Sequence, residues 1–183
     1  MGLPRFVCIL PQNLQKNLVG KKYILTESQA NLKISRLALE ILERNTNAAA
    51  IILAGVAPNG VVIAQKIQQC LKDRTAIPIY MQTITLNKKH PVEVEVQPEI
   101  VPDSSTVVVL IDDVGNSGRT LTYALKPYLN YHPAGIQTLV LVDRTHKQFP
   151  IHPDYVGLSL ASTIEEYIDL DVEGNEIKGA WMR

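Results

Sequence analysis

Thr106-Val-Val-Val-Leu-Ile111-Asp112-Asp113-Val-Gly-Asn-Ser117-Gly118-Arg-Thr120-Leu121 reads as a buried strand, two consecutive carboxylates, a short polar turn and the first turn of a helix. The apolar run is β-branched and too short to be a helix, and Ser117 and Thr120 stand where a helix takes its capping hydroxyls. Such a turn is an anion site, because free backbone N–H groups and the positive end of a helix dipole converge there. A phosphate is therefore expected between Asn116 and Thr120. Asp112 and Asp113 do not suit that phosphate. Their charge suits hydroxyl groups or a magnesium-bound sugar beside it, which is the layout of a ribose 5-phosphate.

Upstream of this stretch, Thr26 and Gln29 form a possible capping box, and Ile34, Leu37, Ala38, Ile41 and Leu42 fall on one helical face that ends near Asn45. Residues 48–53 make a compact apolar strand. The loop 55–60 and a second helix follow, with Val61, Ala64, Ile67 and Leu71 inward. Residues 77–86 alternate as a strand that starts at Pro78 and is broken by Asn87-Lys88-Lys89-His90-Pro91. Val92, Val94 and Val96 then alternate with Glu93, Glu95 and Gln97, the pattern of a half-exposed ribbon that projects from the body. Downstream, Pro127 should bend or shorten the helix that begins near Thr120. Residues 136–142 are the next buried strand, and 155–158, 167–172 and 177–181 are further short strands, the last two joined by a hairpin turn at 173–176. Strands alternating with helices predict an α/β fold: a mostly parallel central sheet with helices on both faces and a small antiparallel addition near the C-terminus.

The chain has 183 residues, which by size is one domain, with residues 1–20 an extension of uncertain order and 21–183 the domain. Lys+Arg and Asp+Glu both number 18, so a general affinity for nucleic acid is not predicted, and RNA binding would need a local patch. Cys8 and Cys70 are expected to be reduced packing residues, as in a cytoplasm, and no apolar run reaches membrane-spanning length. The four histidines lack metal-ligand spacing.

Residues 109–120, a hydrophobic strand, an acidic pair and then Ser117-Gly118-Arg-Thr120, resemble the phosphoribosyl-pyrophosphate signature of type I phosphoribosyltransferases. Segments 24–27, 39–45, 141–151 and 154–157 are similar to the subfamily of pyrimidine-operon attenuation regulators with uracil phosphoribosyltransferase activity, so that the likeness covers about residues 21–183. The resemblance implies that Asp112 and Asp113 bind the ribose hydroxyls of the donor, and that Val114, Gly115, Asn116, Ser117, Gly118, Arg119 and Thr120 wrap its 5-phosphate. It implies that Ala57, Pro58, Asn59 and Gly60 face the pyrophosphate, and that the ribbon near residues 86–96, with Lys88 and Lys89, is a flexible hood. Asp143, Arg144, Tyr155 and Val156 would hold the base. Magnesium would come bound to the donor, with no direct protein ligand, and the protein would associate with itself as a homo-oligomer.

Related enzymes for 6-oxopurines carry an aspartate just before the Thr-Gly of the signature and a lysine at the strand end. Here those positions are Asn116 and Asp143, and neither can do that work; Asp143-Arg144 instead resembles the pattern of the pyrimidine regulators, and that resemblance favours uracil. The pyrophosphate loop departs from the subfamily, which has a Lys-Thr-Arg-Gly type run there. Lys88, Lys89 or a neighbouring subunit would have to compensate. Simpler readings stand beside these: Lys88-Lys89-His90 as a solvated loop tip, Arg144, His146 and Lys147 as surface charge, Tyr155 as packing. Two functions follow. One is a magnesium-dependent transferase acting on uracil. The alternative is a weakly active or inactive member that senses nucleotides and binds RNA or protein.

Overall fold

A computed structural model describes residues 22–161 and 167–182. The extension at 1–20, and Cys8 with it, lies outside the described residues. A six-stranded sheet runs in the order β4-β3-β2-β5-β6-β7, built from β2 (Ala50–Val56), β3 (Ile79–Leu86), β4 (Val94–Gln97), β5 (Thr106–Gly115), β6 (Gly135–Arg144) and β7 (Tyr155–Leu160). All neighbours are parallel except β3 and β4. The stretch that organises the sequence is β5, buried along its whole length between β2 and β6.

Side chains alternate across a strand, so β5 serves two cores. Val107, Val109 and Ile111 face the layer formed by α1 (Glu27–Arg44) and α2 (Asn59–Leu71), where Ile34, Leu37, Ile41, Ile63 and Ile67 are fully or almost fully buried. Val108 and Leu110 face Leu121 and Ala124 of α3 (Arg119–Ala124) and Tyr128 of the 3-10 turn Lys126–Asn130. Helices thus cover both faces. The break between α3 and that turn lies where Pro127 removes a backbone donor.

The Thr26 capping box forms: Gln29 N donates to Thr26 Oγ1 at 3.4 Å, and Thr26 N donates to Gln29 Oε1 at 3.0 Å. At the other end Asn45 Nδ2 donates to Ile41 O at 2.8 Å. In α2 the inward residues include Val62 and Ile63, while Val61 is only half-buried, a shift of the predicted face. The sequence reading assigned no strand to Lys22–Thr26, which forms β1. It pairs antiparallel with β9 (Glu176–Met182), itself hairpinned to β8 (Ile168–Glu173), giving a separate sheet in the order β1-β9-β8. The hairpin turns at Gly174, whose φ of 58° suits glycine. Tyr23 and Trp181 pack against each other across the small sheet, their rings tilted by 50° with centroids 5.4 Å apart. The hood ribbon is rooted at the sheet edge, where β4 pairs with Thr83–Leu86, and farther out Lys126 Nζ donates to Val92 O at 3.2 Å. Among the described residues no helix is long and apolar enough to cross a membrane.

Candidate active site

Gly55 of β2 is paired with Ile111 of β5, and Gly115 of β5 with Asp143 of β6, so three parallel strands end on one side of the sheet. The loops that follow them meet there, where open α/β sheets place ligands. They enclose a cavity of about 240 Å³ lined by Asn59, Lys88, Asp112, Asp113, residues 114–121, and Ile168, Asp169 and Leu170.

Asp112 and Asp113 form its floor and are almost wholly buried. Their carboxylates are held by the backbone they belong to: Asp113 N donates to Asp112 Oδ1 at 3.0 Å, and Val114 N to Asp113 Oδ1 at 2.9 Å. Asn59 at the start of α2 donates from Nδ2 to Asp113 Oδ2 at 2.7 Å. The helix can come this close because Gly60 has no side chain; a Cβ there would lie 2.3 Å from Ile111 O. Lys88 reaches in from the hood, its Nζ 3.1 Å from Asp112 Oδ1 and 3.4 Å from Asp113 Oδ1.

This environment separates the two acids. Burial, and next the neighbouring Asp113 charge, push the Asp112 carboxyl up to about 7. Burial acts on Asp113 too, but the Lys88 ammonium, the hydrogen bond to Asp112 and the Asn59 amide outweigh it and hold Asp113 below its ordinary value. Burial would lower Lys88, yet the two carboxylates raise it above its ordinary value, so it is a cation here. At neutral pH Asp112 is near the midpoint of its titration while Asp113 is ionised, so the pair takes up and gives up a single proton there, a state matched to sugar hydroxyls, which both donate and accept.

The turn after the pair differs from the predicted cap. Gly118, at φ 83°, is the N-cap of α3 and contributes no side-chain hydrogen bond, and Thr120 already lies in the first turn. Ser117 Oγ accepts from Arg119 N at 3.4 Å. A six-residue helix has a weak dipole, so anion binding here falls to the backbone N–H groups of the turn.

Of the pyrophosphate-loop residues, Asn59 reaches the cavity, and Gly60 is pressed against β5. The Ala57-Pro58 peptide is cis. No residue from 57 to 60 carries charge. Of the two hood lysines, Lys88 enters the site, whereas Lys89 is exposed and its backbone N donates to Asn87 Oδ1.

The residues expected at the base divide. Asp143 ion-pairs with Lys147, and Arg144, only 8% exposed, donates from Nη1 to Asn116 Oδ1 at 3.2 Å. Arg144 and Lys147 are therefore not surface charges, whereas His146 is exposed. Tyr155 does not fit the stacking role. Its ring has no exposed surface, its Oη donates to Gln137 Oε1 at 2.9 Å and accepts from Asn45 Nδ2 at 3.3 Å, and the Arg44 guanidinium covers it at 4.7 Å. The cause is β7's alternation, which turns Tyr155 into the core beneath α1. Val156 packs in the opposite layer, and its carbonyl accepts from Arg36 Nη2 at 2.7 Å. The sequence reading missed Ile168, Asp169 and Leu170, which bring the small sheet over the cavity; the strand was legible, its destination was not.

Residues 22–173 match the family model of the phosphoribosyl transferase domain. The chain is 35% identical over 164 residues to the Bifunctional protein PyrR of Streptococcus thermophilus, covering 85% of this chain and 94% of that protein. It is 37% identical over 157 residues to the Bifunctional protein PyrR of Deinococcus deserti, covering 81% and 86%. The hypoxanthine phosphoribosyltransferase of Trypanosoma cruzi has a similar fold, with a TM-score of 0.70 at 18% identity over 88% of this chain and 95% of that one. That of Staphylococcus aureus gives a TM-score of 0.71 at 13% identity, over 93% and 96%.

Proposed function

Because this chain belongs to the phosphoribosyl transferase domain family, we propose that it moves the 5-phosphoribosyl group of phosphoribosyl pyrophosphate onto uracil, releasing pyrophosphate. The observation that carries this reading is the Asp112-Asp113 pair on the floor of a cavity whose rim is the 114–120 turn. The carboxyls accept and donate to the 2′- and 3′-hydroxyls, and the turn's amides take the 5-phosphate. The C1–O bond to pyrophosphate breaks as a C1–N bond to the base forms, and the base proton leaves to solvent. Positive charge develops on the sugar above Asp113, which is kept ionised, so the carboxylate stabilises that state more than the neutral ground state. Lys88 offers the only charge contributed by the hood within reach of these carboxylates among the described residues, and the leaving pyrophosphate is the anion it would meet on exchanging partners.

Among the described residues no group of three or more His, Cys, Asp or Glu could hold a metal ion. Two adjacent carboxylates suit an ion that arrives already bound to the donor, with Asp112 and Asp113 as its protein neighbours. Magnesium bound this way would neutralise charge on the leaving group.

Uracil is supported by two groups that the fold has already engaged. Asn116 Oδ1 accepts from Arg144, and Asp143 is paired with Lys147, so neither serves as base or cation for a 6-oxopurine. The test is incubation with donor, magnesium and a panel of bases. Uridine monophosphate from uracil, with purines inert, is the expected result; no nucleotide from any base overturns the reading.

The uncharged loop 57–60 favours a second reading, a weakly active or inactive member that senses nucleotides and binds RNA or protein. Calorimetry with uridine and guanosine nucleotides and RNA titrations at two salt concentrations separate the two. Absence of both kinds of binding removes it.

A further inference from the structure

We propose that Lys147 is a positioning residue that holds the phosphate turn in its binding shape from outside the cavity. Only the identity of what the turn binds depends on the phosphoribosyl-transfer reading; the tie itself is geometry. The segment after β6 meets the turn with donors. Lys147 Nζ donates to Gly115 O at 2.6 Å and to Asn116 O at 3.2 Å, and pairs with Asp143 Oδ1. Gln148 N and Phe149 N both donate to Ser117 O at 3.0 Å.

An ammonium has three protons and no acceptor, so these partners saturate it. The Lys147 side chain is 6% exposed and does not line the cavity, which rules it out as the cation that meets the ligand. The carbonyls of 115–117 are the atoms of the turn that would repel a phosphate. Lys147 and the two N–H groups after it hold those carbonyls on the far side, leaving the cavity side to the turn's amides. The tie packs directly on the strand end, since a Cβ on Gly115 would lie 2.4 Å from Asp143 Oδ1 and 3.1 Å from Lys147 Nζ. It extends to α3, where the Arg119 guanidinium sits 5.5 Å from the Phe149 ring centroid and Tyr123 meets the same ring edge-on. Asp143, at the strand end, thus acts on the phosphate turn through Lys147.

The test compares wild type, Lys147→Met, Lys147→Arg and the double variant Asp143→Asn/Lys147→Met, which removes the carboxylate that the single variant strands. Ribose 5-phosphate is titrated by calorimetry, and amide hydrogen exchange is followed by NMR. In Lys147→Met and in the double variant, affinity should fall about tenfold or more, the scale of losing a charged hydrogen bond. Exchange should quicken at 115–119 and stay unchanged at 107–111. Lys147→Arg should recover most of both. If Lys147→Met alone fails to fold, the double variant gives the same two readouts. Wild-type affinity with wild-type exchange at 115–119 overturns the proposal, and so does a loss that the double variant reverses. A wild type that does not bind ribose 5-phosphate, alongside a loosened turn in the variants, supports the tie and overturns the transfer reading.

Discussion

Lys88 Nζ lies 3.1 Å from Asp112 Oδ1, so the hood lays an ammonium on the carboxylate that is otherwise the harder of the pair to ionise. The contact joins a root at the sheet edge to the end of the central strand, and it links the position of the hood to the protonation of the floor.

Lys88→Met should therefore move the acid limb of the pH–rate profile upward. The ammonium lowers Asp112, and without it burial and the Asp113 charge are opposed by the Asp113 N–H alone. The loss of one charged contact should lower kcat/KM for the donor roughly tenfold. Steady-state kinetics across the pH range check both; an acid limb in the wild-type place would mean that the contact does not set the charge of the pair.

Asp112→Asn should change how stability depends on pH. The folded group titrates near 7 and the ordinary value is 3.8, so the native state keeps a proton that the unfolded chain has released. The stability contributed by this group is fully present below pH 3.8 and is lost as pH rises through 7. The variant does not have this loss. Its stability relative to wild type should rise by a few kcal/mol between pH 4 and 8 in urea denaturation, while activity falls by at least about 100-fold. A difference that stays flat with pH would contradict the buried, protonated state.

Gly60→Ala should cost roughly 2–3 kcal/mol, because the new methyl meets backbone on β5 that cannot rotate away. The same push would carry Asn59 off Asp113, so donor KM should rise with the loss of stability. Chemical denaturation and donor kinetics on one preparation test whether the two go together.

Tyr155→Phe separates packing from base contact. It removes the hydroxyl that bonds Gln137 and Asn45, which should cost about 1–2 kcal/mol in thermal melts. KM for the base should stay within about twofold of wild type. A large rise in that KM alone would restore the stacking role.

Much of this molecule was legible because its signals are local. The Thr26 capping box, the α1 face, the break at Pro127 and the hairpin at Gly174 follow from spacing within a turn or two of chain, and each forms. β1 was not legible. A five-residue strand becomes one by pairing with β9, at the opposite end of the described chain, and nothing within 22–26 announces that partner. The Asp143–Lys147 tie was not legible either: Lys147 read as surface charge, and its value comes from the Gly115 and Asn116 carbonyls brought beside it.

The sequence by itself determined the parallel sheet, the acidic pair at the end of its central strand and the turn behind it, because strand period and turn chemistry are properties of neighbouring residues. Tertiary structure decided which charges meet. It put Lys88 on Asp112, turned Tyr155 into the core and used Lys147 to brace the turn, because those outcomes depend on how strands register and on which face each side chain takes. A shift of one residue along a strand would reverse them.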